Sequence, residues 1–297
     1  MNMIWAVALL DFRRLGFGVL SGALIAGLTP ALASGLGVKV PLDVMLALAL
    51  GLSLPGAALA ENSACWFENG AIVVPAEIGG VAGDWLVDPS AAHTQLHETR
   101  AQMEGLPATF RASARLAGQT LEGVEVTVAD LDDRAPGFVT PIAGVIGADL
   151  LRRIVLDLEF TPCRLRLTTG PARPPARGAR PVRVIEMAGV PVVEAGISDD
   201  RRARQGLFAI DFSARASVRL TAAAFRPDRE GAATAPRNQA PGRLRALSFR
   251  GELHEQTSAA LAPDLDPALA GALGTDLWSR WRLRLDIASG RLWLSPE

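Results

Sequence analysis

Two aspartates in matching surroundings are the first candidates for chemistry in this chain. Asp88 ends the apolar run WLVD, and Asp211 ends the apolar run FAID. A serine stands two residues after each of them, Ser90 in the first case and Ser213 in the second. An aspartate at the end of a strand that otherwise looks buried calls for a hydrogen-bonding partner or a function. General acid-base catalysis is one such function.

Two other kinds of chemistry are weaker candidates. His93 and His97 stand four residues apart with Glu98 beside the second, which on a helix would put both rings on one face as metal ligands. The stretch after Asp88 is instead predicted to be extended. No third residue that could bind a metal stands nearby in the sequence. Ser90 as a nucleophile would need a histidine base, and no Gly-x-Ser-x-Gly turn exposes it. We therefore predict neither a metal site nor a serine hydrolase.

The surroundings of the two aspartates belong to an internal repeat. Residues 144–167 align without a gap on residues 271–294, and WLVDPSA aligns on FAIDFSA. The longer segments share Gly144, Gly147, Asp149, Leu150, Arg153, Leu156, Leu158, Arg164, Leu165 and Leu167, which recur as Gly271, Gly274, Asp276, Leu277, Arg280, Leu283, Leu285, Arg291, Leu292 and Leu294. Because chance rarely aligns two glycines, an aspartate and an arginine among leucines, we infer an internal duplication.

Composition excludes several classes of protein. The 297 residues are 49% hydrophobic with a formal net charge of −1, so the chain is globular and is not an electrostatic nucleic-acid binder. Arginine supplies nearly all of the positive charge. No glycine-rich phosphate loop is present, and Gly79-Gly80 is typical of a hairpin turn.

Strand signals dominate after residue 60. Short β-branched or alternating runs between glycine, proline and aspartate turns predict strands at residues 71–78, 84–87, 124–129 and 154–160. Helical periodicity is confined to short pieces such as residues 148–153. Trp85, Trp278, Trp281 and Trp293 fall on these elements and are predicted to pack in the core or between lobes. The fold class is therefore all-β with short helices.

The repeat also predicts the domain organisation. We expect an export segment at residues 1–60, a first lobe at 61–169, an extended Arg/Pro-rich linker at 170–183 and a second lobe at 184–297. Residues 226–243 are low in apolar side chains and predict a solvated loop. Both copies lie on one chain, so a cleft between the lobes can form in a monomer.

The first sixty residues predict export. Two apolar stretches, residues 15–38 and 40–60, each contain an Ala-x-Ala pattern, and cleavage after Ala60 is the preferred interpretation. The mature protein would then be periplasmic or otherwise exported. A membrane hairpin is the alternative, because the first stretch is long enough to span a bilayer. The membrane is a partner only if this segment is retained.

The two cysteines fit an oxidising compartment. Cys65 lies just after the proposed cleavage site and Cys163 lies at the end of the first lobe, so a disulfide between them is predicted. Lipid modification of Cys65 is the alternative, but the preceding residues Asn62, Ser63 and Ala64 lack the apolar residue that such a site normally carries.

In each half, an apolar strand leads into an aspartate turn, and a hydrophobic-Gly-x-Asp-Leu segment follows. This combination resembles the retropepsin-like and pepsin-like aspartic peptidases, whose strand ends in Asp-Thr-Gly or Asp-Ser-Gly with a hydrophobic-hydrophobic-Gly segment behind it. The resemblance implies two similar β lobes and a pair of carboxylates, Asp88 and Asp211, that share a proton and activate water without a cofactor. Asp149 and Asp276 are then expected to be helix caps or arginine partners.

The sequence departs from the family pattern after both aspartates. Pro89 and Phe212 replace the threonine or serine, and Ser90 and Ser213 replace the glycine. The first change removes the hydroxyls that hold the two loops together in the family. The second is expected to shift or strain the turn, since glycine permits unusual dihedrals. Phe212 between the lobes would favour a binding function over catalysis.

Two functional hypotheses follow. The first is an exported aspartic endopeptidase that cleaves peptide or protein substrates with Asp88 and Asp211. The second is a catalytically inactive pseudo-peptidase that binds extended peptides or a protein partner between the lobes. In the resembling family a β-hairpin flap covers the cleft, and residues 107–121 and 244–253 are the hairpin candidates.

Overall fold

The computed structural model describes residues 63–296 apart from residues 135, 171, 173–174, 176–178, 200–201 and 223–236. The described part of the chain belongs to one compact unit, Ala58–Glu297. The predicted export segment, its cleavage after Ala60 and the alternative membrane hairpin all lie outside the described residues. In the described part, no helix is long and apolar enough to cross a bilayer.

The first lobe is a closed sheet. Its strands are β2 (Trp66–Glu68), β3 (Ala71–Ile78), β4 (Val81–Val87), β5 (Thr94–His97), β6 (Thr109–Leu116), β7 (Gln119–Ala129) and β8 (Ile142–Ile146). They are hydrogen-bonded in the order β2-β3-β4-β8-β5-β7-β6, and a further pairing of β3 with β6 closes six of them into a barrel. Within this barrel β8 runs parallel to β4 and antiparallel to β5.

The second lobe repeats this arrangement strand by strand. Its strands are β12 (Ile185–Met187), β13 (Val190–Ser198), β14 (Ala203–Ile210), β15 (Val218–Leu220), β16 (Gly242–Phe249), β17 (Glu252–Leu261) and β18 (Gly271–Leu273). Their order is β12-β13-β14-β18-β15-β17-β16, with β13 paired to β16. The identical order in the two sheets is the structural counterpart of the repeat in the sequence.

A third sheet joins the lobes. It contains β1 (Ser63–Ala64), β9 (Val155–Phe160), β10 (Cys163–Thr168), β11 (Arg180–Arg183), β19 (Trp281–Asp286) and β20 (Arg291–Pro296), in the order β1-β10-β9-β19-β20-β11. At its centre β9 of the first lobe pairs with β19 of the second, so the lobes share one hydrogen-bonded sheet. The last residues of the predicted linker form the edge strand β11 instead of remaining free of the body.

Three short helices complete the described part of the chain: α1 (Glu98–Glu104), α2 (Ala148–Leu151) and α3 (Thr275–Trp278). The sequence indicated α2 and its copy α3 but not α1. Helix α1 ends at Gly105, which adopts the left-handed conformation that glycine favours. The predicted turn at Gly79-Gly80 is present, and both glycines have positive φ.

Burial agrees with the strand periodicity. Trp85 and Trp278 are fully buried, and Trp281 and Trp293 are nearly so, as the sequence predicted. The main core runs continuously through both lobes and the joining sheet. Cys65 and Cys163 form a disulfide that attaches the chain next to β1 to the start of β10. The unit therefore contains its own core, cross-link and complete sheets, which are the requirements for independent folding.

Candidate functional site

Asp88 and Asp211 occupy equivalent places in the two lobes. Asp88 directly follows β4, and its backbone N–H donates to the carbonyl of Ile146 at 3.0 Å. Asp211 directly follows β14, and its N–H donates to the carbonyl of Leu273 at 2.9 Å. Both side chains are completely buried, at 0% exposure. The parallel pairing of each aspartate strand with its glycine-containing neighbour fixes these positions.

The turn after each aspartate is built around its own carboxylate. The backbone N–H and the hydroxyl of Ser90 donate to Asp88 Oδ1 at 2.9 and 2.7 Å. The backbone N–H of Ser213 donates to Asp211 Oδ1 at 2.8 Å. Neither serine adopts a positive φ, so the strain expected from replacing glycine is absent from these turns.

The repeated glycines are explained by close backbone contacts behind the turns. A Cβ on Gly147 would lie 2.4 Å from the carbonyl of His93, and one on Gly274 would lie 2.1 Å from the carbonyl of Ala216. Just after these glycines, the first helical residues of α2 and α3 donate to the turns: Ala148 to Ala91 and Thr275 to Ala214. A larger residue at either glycine would push the helix away from the aspartate turn.

Ser213 connects the two carboxylates. Its hydroxyl lies 2.8 Å from Asp88 Oδ2 and 3.1 Å from Asp211 Oδ1. A hydroxyl has one proton, so it can donate to only one carboxylate at a time. Arg237 Nη1 donates to the same hydroxyl at 2.7 Å and to Asp211 Oδ2 at 3.2 Å. The carboxylates thus meet through a serine and an arginine.

Arg219 and Asp264 extend this cluster within the second lobe. Arg219 Nη1 donates to Asp211 Oδ2 at 3.0 Å, and its Nη2 donates to Asp264 Oδ1 at 2.5 Å. Arg237 donates to the other oxygen of Asp264. Arg219 belongs to β15, which is buried along its whole length, so its charge requires these two carboxylates.

A third arginine comes from the first lobe. Arg134 Nη1 donates to Asp88 Oδ2 at 2.6 Å, and its Nη2 lies 3.8 Å from Asp264 Oδ2. Together with the contact of Ser213 to Asp88, these ion pairs join the two lobes at the ends of β4 and β14. We call Asp88, Asp211, Asp264, Arg134, Arg219 and Arg237 the ion-pair cluster. Its three carboxylates balance its three guanidiniums.

The arginines of the ion-pair cluster lower the pKa values of Asp88 and Asp264. Burial by itself would raise the pKa of Asp88, but Arg134 and Arg237, with hydrogen bonds from Ser90 and Ser213, hold that pKa below its ordinary value. Burial would also raise the pKa of Asp264. This effect is outweighed by Arg237, Arg219 and Arg134, which lower that pKa far below the ordinary value. Burial opposes the charge of Arg237, but Asp211, Asp264 and Asp88 raise its pKa above the usual range.

The ion-pair cluster also closes the site to solvent. The side chains of Arg219 and Arg237 are 4% and 6% exposed, while those of Arg134 and Asp264 are 18% and 35% exposed. Arg134 and Asp264 therefore form the accessible rim above the buried aspartates. A substrate peptide could reach Asp88 and Asp211 only after the rim had moved.

Phe212 packs beneath the site, between the lobes. It is fully buried and makes edge-to-face contacts with Phe160 of β9, at 6.2 Å between ring centroids, and with Trp278 of α3, at 6.4 Å. Its carbonyl accepts a hydrogen bond from the N–H of Ile72 in the first lobe. An apolar contact between lobes thus stands where the resembling family has a hydroxyl.

The arrangement is comparable to that of a solved enzyme. The crystal structure of an aspartic proteinase from Irpex lacteus superimposes on this chain with a TM-score of 0.50 and 12% sequence identity, over 79% of this chain and 96% of that one. This chain has the two-lobed fold of an aspartic proteinase. At this identity the likeness concerns the fold alone. The sequence matches no protein-family model and no curated protein.

Within this aspartic-proteinase fold, the second aspartate of each half has a structural role. Asp149 accepts hydrogen bonds from the N–H of Leu150 and the hydroxyl of Thr94, both at 2.7 Å. Asp276 accepts from Ser258 at 2.9 Å and lies 3.9 Å from Arg215. The contacts of Asp149 position helix α2, and those of Asp276 position helix α3.

The histidine pair is divided between two environments. His97 caps α1, since its Nδ1 accepts from the N–H of Thr99 at 3.3 Å, and its Nε2 lies 3.1 Å from Asp132. Asp130 lies close by, whereas His93 is exposed in the turn. His93 does not belong to the group that His97 forms with Asp130 and Asp132, so the two rings are not the paired ligands that a helix would present.

Sequence analysis did not find the arginines and Asp264. Arg219 gave a usable signal, because an arginine between Val218 and Leu220 in a strand-like run requires a buried carboxylate partner. Arg134 and Arg237 lie outside the strands and helices and show no periodicity. The solvated loop expected at residues 226–243 is described only from Arg237 onward, and Arg237 is buried, contrary to that expectation.

The depressed pKa values predict acid lability. A carboxylate whose folded-state pKa is lowered stabilises the fold at pH values above its unfolded-state pKa of about 3.9, and this stability is lost as the pH falls further. We expect the free energy of unfolding in urea to decline below about pH 4. Asp264→Asn should make this decline shallower, whereas Asp132→Asn, at a side chain that is 82% exposed, should not. If the free energy of unfolding declined equally steeply with falling pH in both variants, the lowered pKa could not be assigned to Asp264.

Proposed function

We propose that this chain is a pseudo-peptidase: a non-catalytic protein of the aspartic-proteinase fold that binds an extended peptide or a protein partner. The observation that carries the proposal is the pairing of both dyad carboxylates with arginines, Asp88 with Arg134 and Asp211 with Arg219 and Arg237. The endopeptidase that the sequence put first becomes the second candidate. Export through the N-terminal segment remains part of the proposal.

The chemistry of an aspartic dyad conflicts with this pairing. The mechanism requires one proton shared between two carboxylates, with the ionised member taking a proton from water. Two carboxylates hold such a proton because they repel each other when both are charged. Here guanidiniums compensate that repulsion and occupy the hydrogen-bonding positions on Oδ2 of both aspartates. The pair therefore lacks the repulsion that retains a shared proton, and arginines fill the Oδ2 positions where such a proton and a water would be held.

A bound segment would contact the rim of the site instead of its floor. Arg134 and Asp264 present one positive and one negative group at the surface between the lobes. Such a rim suits a peptide that carries both charged and polar groups. The buried aspartates would then support the rim from below through the same ion pairs.

Peptide-library cleavage between pH 3 and 7 tests the proposal. We expect no cleavage that depends on Asp88 or Asp211, so the Asp88→Asn and Asp211→Asn variants should give the same products as the unmodified chain. Retained binding of library peptides without turnover, weakened by Arg134→Gln but not by the exposed Arg243→Gln, would support the binding function. Cleavage abolished by either asparagine variant would overturn it.

One observation keeps the endopeptidase as a second candidate. Arg134 and Arg237 both come from segments outside the strands and helices, while Asp88 and Asp211 retain matching turns. If these segments withdrew, the carboxylates would lose two of their three arginines. The Arg134→Gln/Arg237→Gln double variant separates the two candidates, because only a masked enzyme would gain cleavage from it.

A further inference from the structure

The outer face of the joining sheet carries an excess of positive charge. Because side chains alternate along strands and directly paired residues share a face, the face opposite the core can be assigned from the register. We call it the arginine face, and its charged members are Arg164, Arg166, Arg183, Arg282, Arg284, Arg291, Asp157, Glu159 and Asp286. Six arginines against three acids contrast with the formal net charge of −1 for the whole chain.

Two arginines of this face stand further out than the carboxylate that they share. The side chains of Arg164 and Arg282 are 54% and 55% exposed, whereas their shared partner Glu159 is 24% exposed. Arg284 and its partner Asp157 are about equally exposed, at 24% and 26%. Asp286 is buried and accepts backbone N–H groups of Ala172 and Ser289. A ligand that approaches Arg164 and Arg282 therefore meets guanidinium groups before Glu159.

The face contains room for small polar groups. A cavity of about 490 Å³ is bordered by four arginines, two carboxylates and an aromatic ring: Arg164, Arg166, Arg282, Arg284, Asp157, Glu159 and Trp293. Guanidinium groups bind phosphate oxygens through two parallel hydrogen bonds. Since the arginines outnumber the carboxylates, the cavity keeps a positive excess that suits phosphate groups.

The course of the chain relates this face to a membrane. Strand β1 is the edge of the sheet and pairs with β10, which carries Arg164 and Arg166. Ser63 in β1 is the third residue after Ala60, the end of the second apolar stretch. Three extended residues reach about 10 Å at most. In the membrane-hairpin alternative the apolar stretches are retained, and the short connection then keeps β1 close to the bilayer surface.

We propose that the arginine face is a docking surface for the anionic phosphate headgroups of a membrane. The proposal is independent of catalysis between the lobes. Exposed arginines next to an anionic bilayer each add to the attraction, and the effect weakens with salt.

Arginine modification on the full chain in lipid nanodiscs tests this docking. The probe discs contain either phosphatidylcholine alone or phosphatidylcholine with phosphatidylglycerol, and phenylglyoxal labelling is followed residue by residue with mass spectrometry. We expect Arg164 and Arg282 to react at least fivefold more slowly in the anionic discs. Arg111 and Arg115 are internal controls, since each is exposed and paired with a glutamate like the test residues. Their rates should not change.

A double variant and a competitor complete the test. In the Arg164→Gln/Arg282→Gln variant, the protection of Arg291 from phenylglyoxal by anionic lipid should fall severalfold. In the Arg111→Gln/Arg115→Gln variant, this protection should persist. Equal labelling rates in the two kinds of disc, or equal slowing of all four arginines, would overturn the proposal. Protection by soluble polyglutamate without protection by anionic lipid would also overturn it, and would assign the face to an acidic polypeptide.

Discussion

Replacing Arg237 with methionine is expected to lower the free energy of unfolding by about 3–5 kcal/mol, the usual effect of removing one partner from a buried ion pair. Arg237 is 6% exposed and donates to Asp211, Asp264 and Ser213. Methionine keeps much of the side-chain length but removes one of the three guanidiniums. Three carboxylates then face two guanidiniums, Arg134 and Arg219, at a largely buried site. Urea unfolding at neutral pH measures the loss.

Arg243→Met is the matched control. Arg243 lies six residues further along the chain, in β16, is exposed and donates only to the backbone carbonyl of Gln256 among its described contacts. Its loss should change stability by about 0.5 kcal/mol or less, as for most surface substitutions. A loss of less than 1 kcal/mol for Arg237→Met would mean that the ion-pair cluster contributes little to holding the lobes together.

The second large effect is expected at Phe212. Phe212→Ala should cost about 3–5 kcal/mol, the range for truncating a buried phenylalanine. The ring is fully buried between Phe160 of the first lobe and Trp278 of the second, so its removal leaves a cavity at the junction of the lobes. Because both partners belong to rigid elements, β9 and α3, the cavity cannot readily collapse. Chemical denaturation of the purified variant measures the cost.

Phe67→Ala provides the comparison for this prediction. Phe67 makes an edge-to-face contact with the same Phe160, at 5.4 Å between centroids, but it is 37% exposed. Its truncation should cost about 1 kcal/mol, the value of one aromatic pair. Similar losses for the two variants would show that Phe212 does not bridge the lobes. Phe212→Leu should recover a large part of the stability, since it refills the cavity.

The departures from the aspartic-peptidase pattern act together in the structure. Ser213 replaces a glycine, and its hydroxyl connects Asp88 to Asp211. Phe212 replaces a hydroxyl residue, and its ring supplies an apolar contact in the place of a hydrogen bond. The two changes stabilise the junction of the lobes in different ways. Together with the arginines, they are the contacts on which the proposed binding function rests.

The sequence by itself indicated the all-β class, the duplication and the positions of strands such as β3, β4 and β9. A β-branched apolar run and glycine turns located β3 and the Gly79-Gly80 hairpin, because these signals are local. The repeated Gly147 and Gly274 identified the segments behind the aspartates, because close backbone approach there admits no side chain. Helix α1 was missed, since seven residues are too few to show helical periodicity.

Only the tertiary structure decided the chemistry of the site. Asp88 and Arg134 are 46 residues apart in sequence, and Asp88 and Ser213 are 125 apart. The local sequence does not indicate such pairings. An arginine in an irregular segment is charged in water just as it is beside a buried carboxylate. Protonation of an aspartate depends on the charges that surround it in space. The sequence therefore located the two carboxylates, and folding determined that arginines neutralise them.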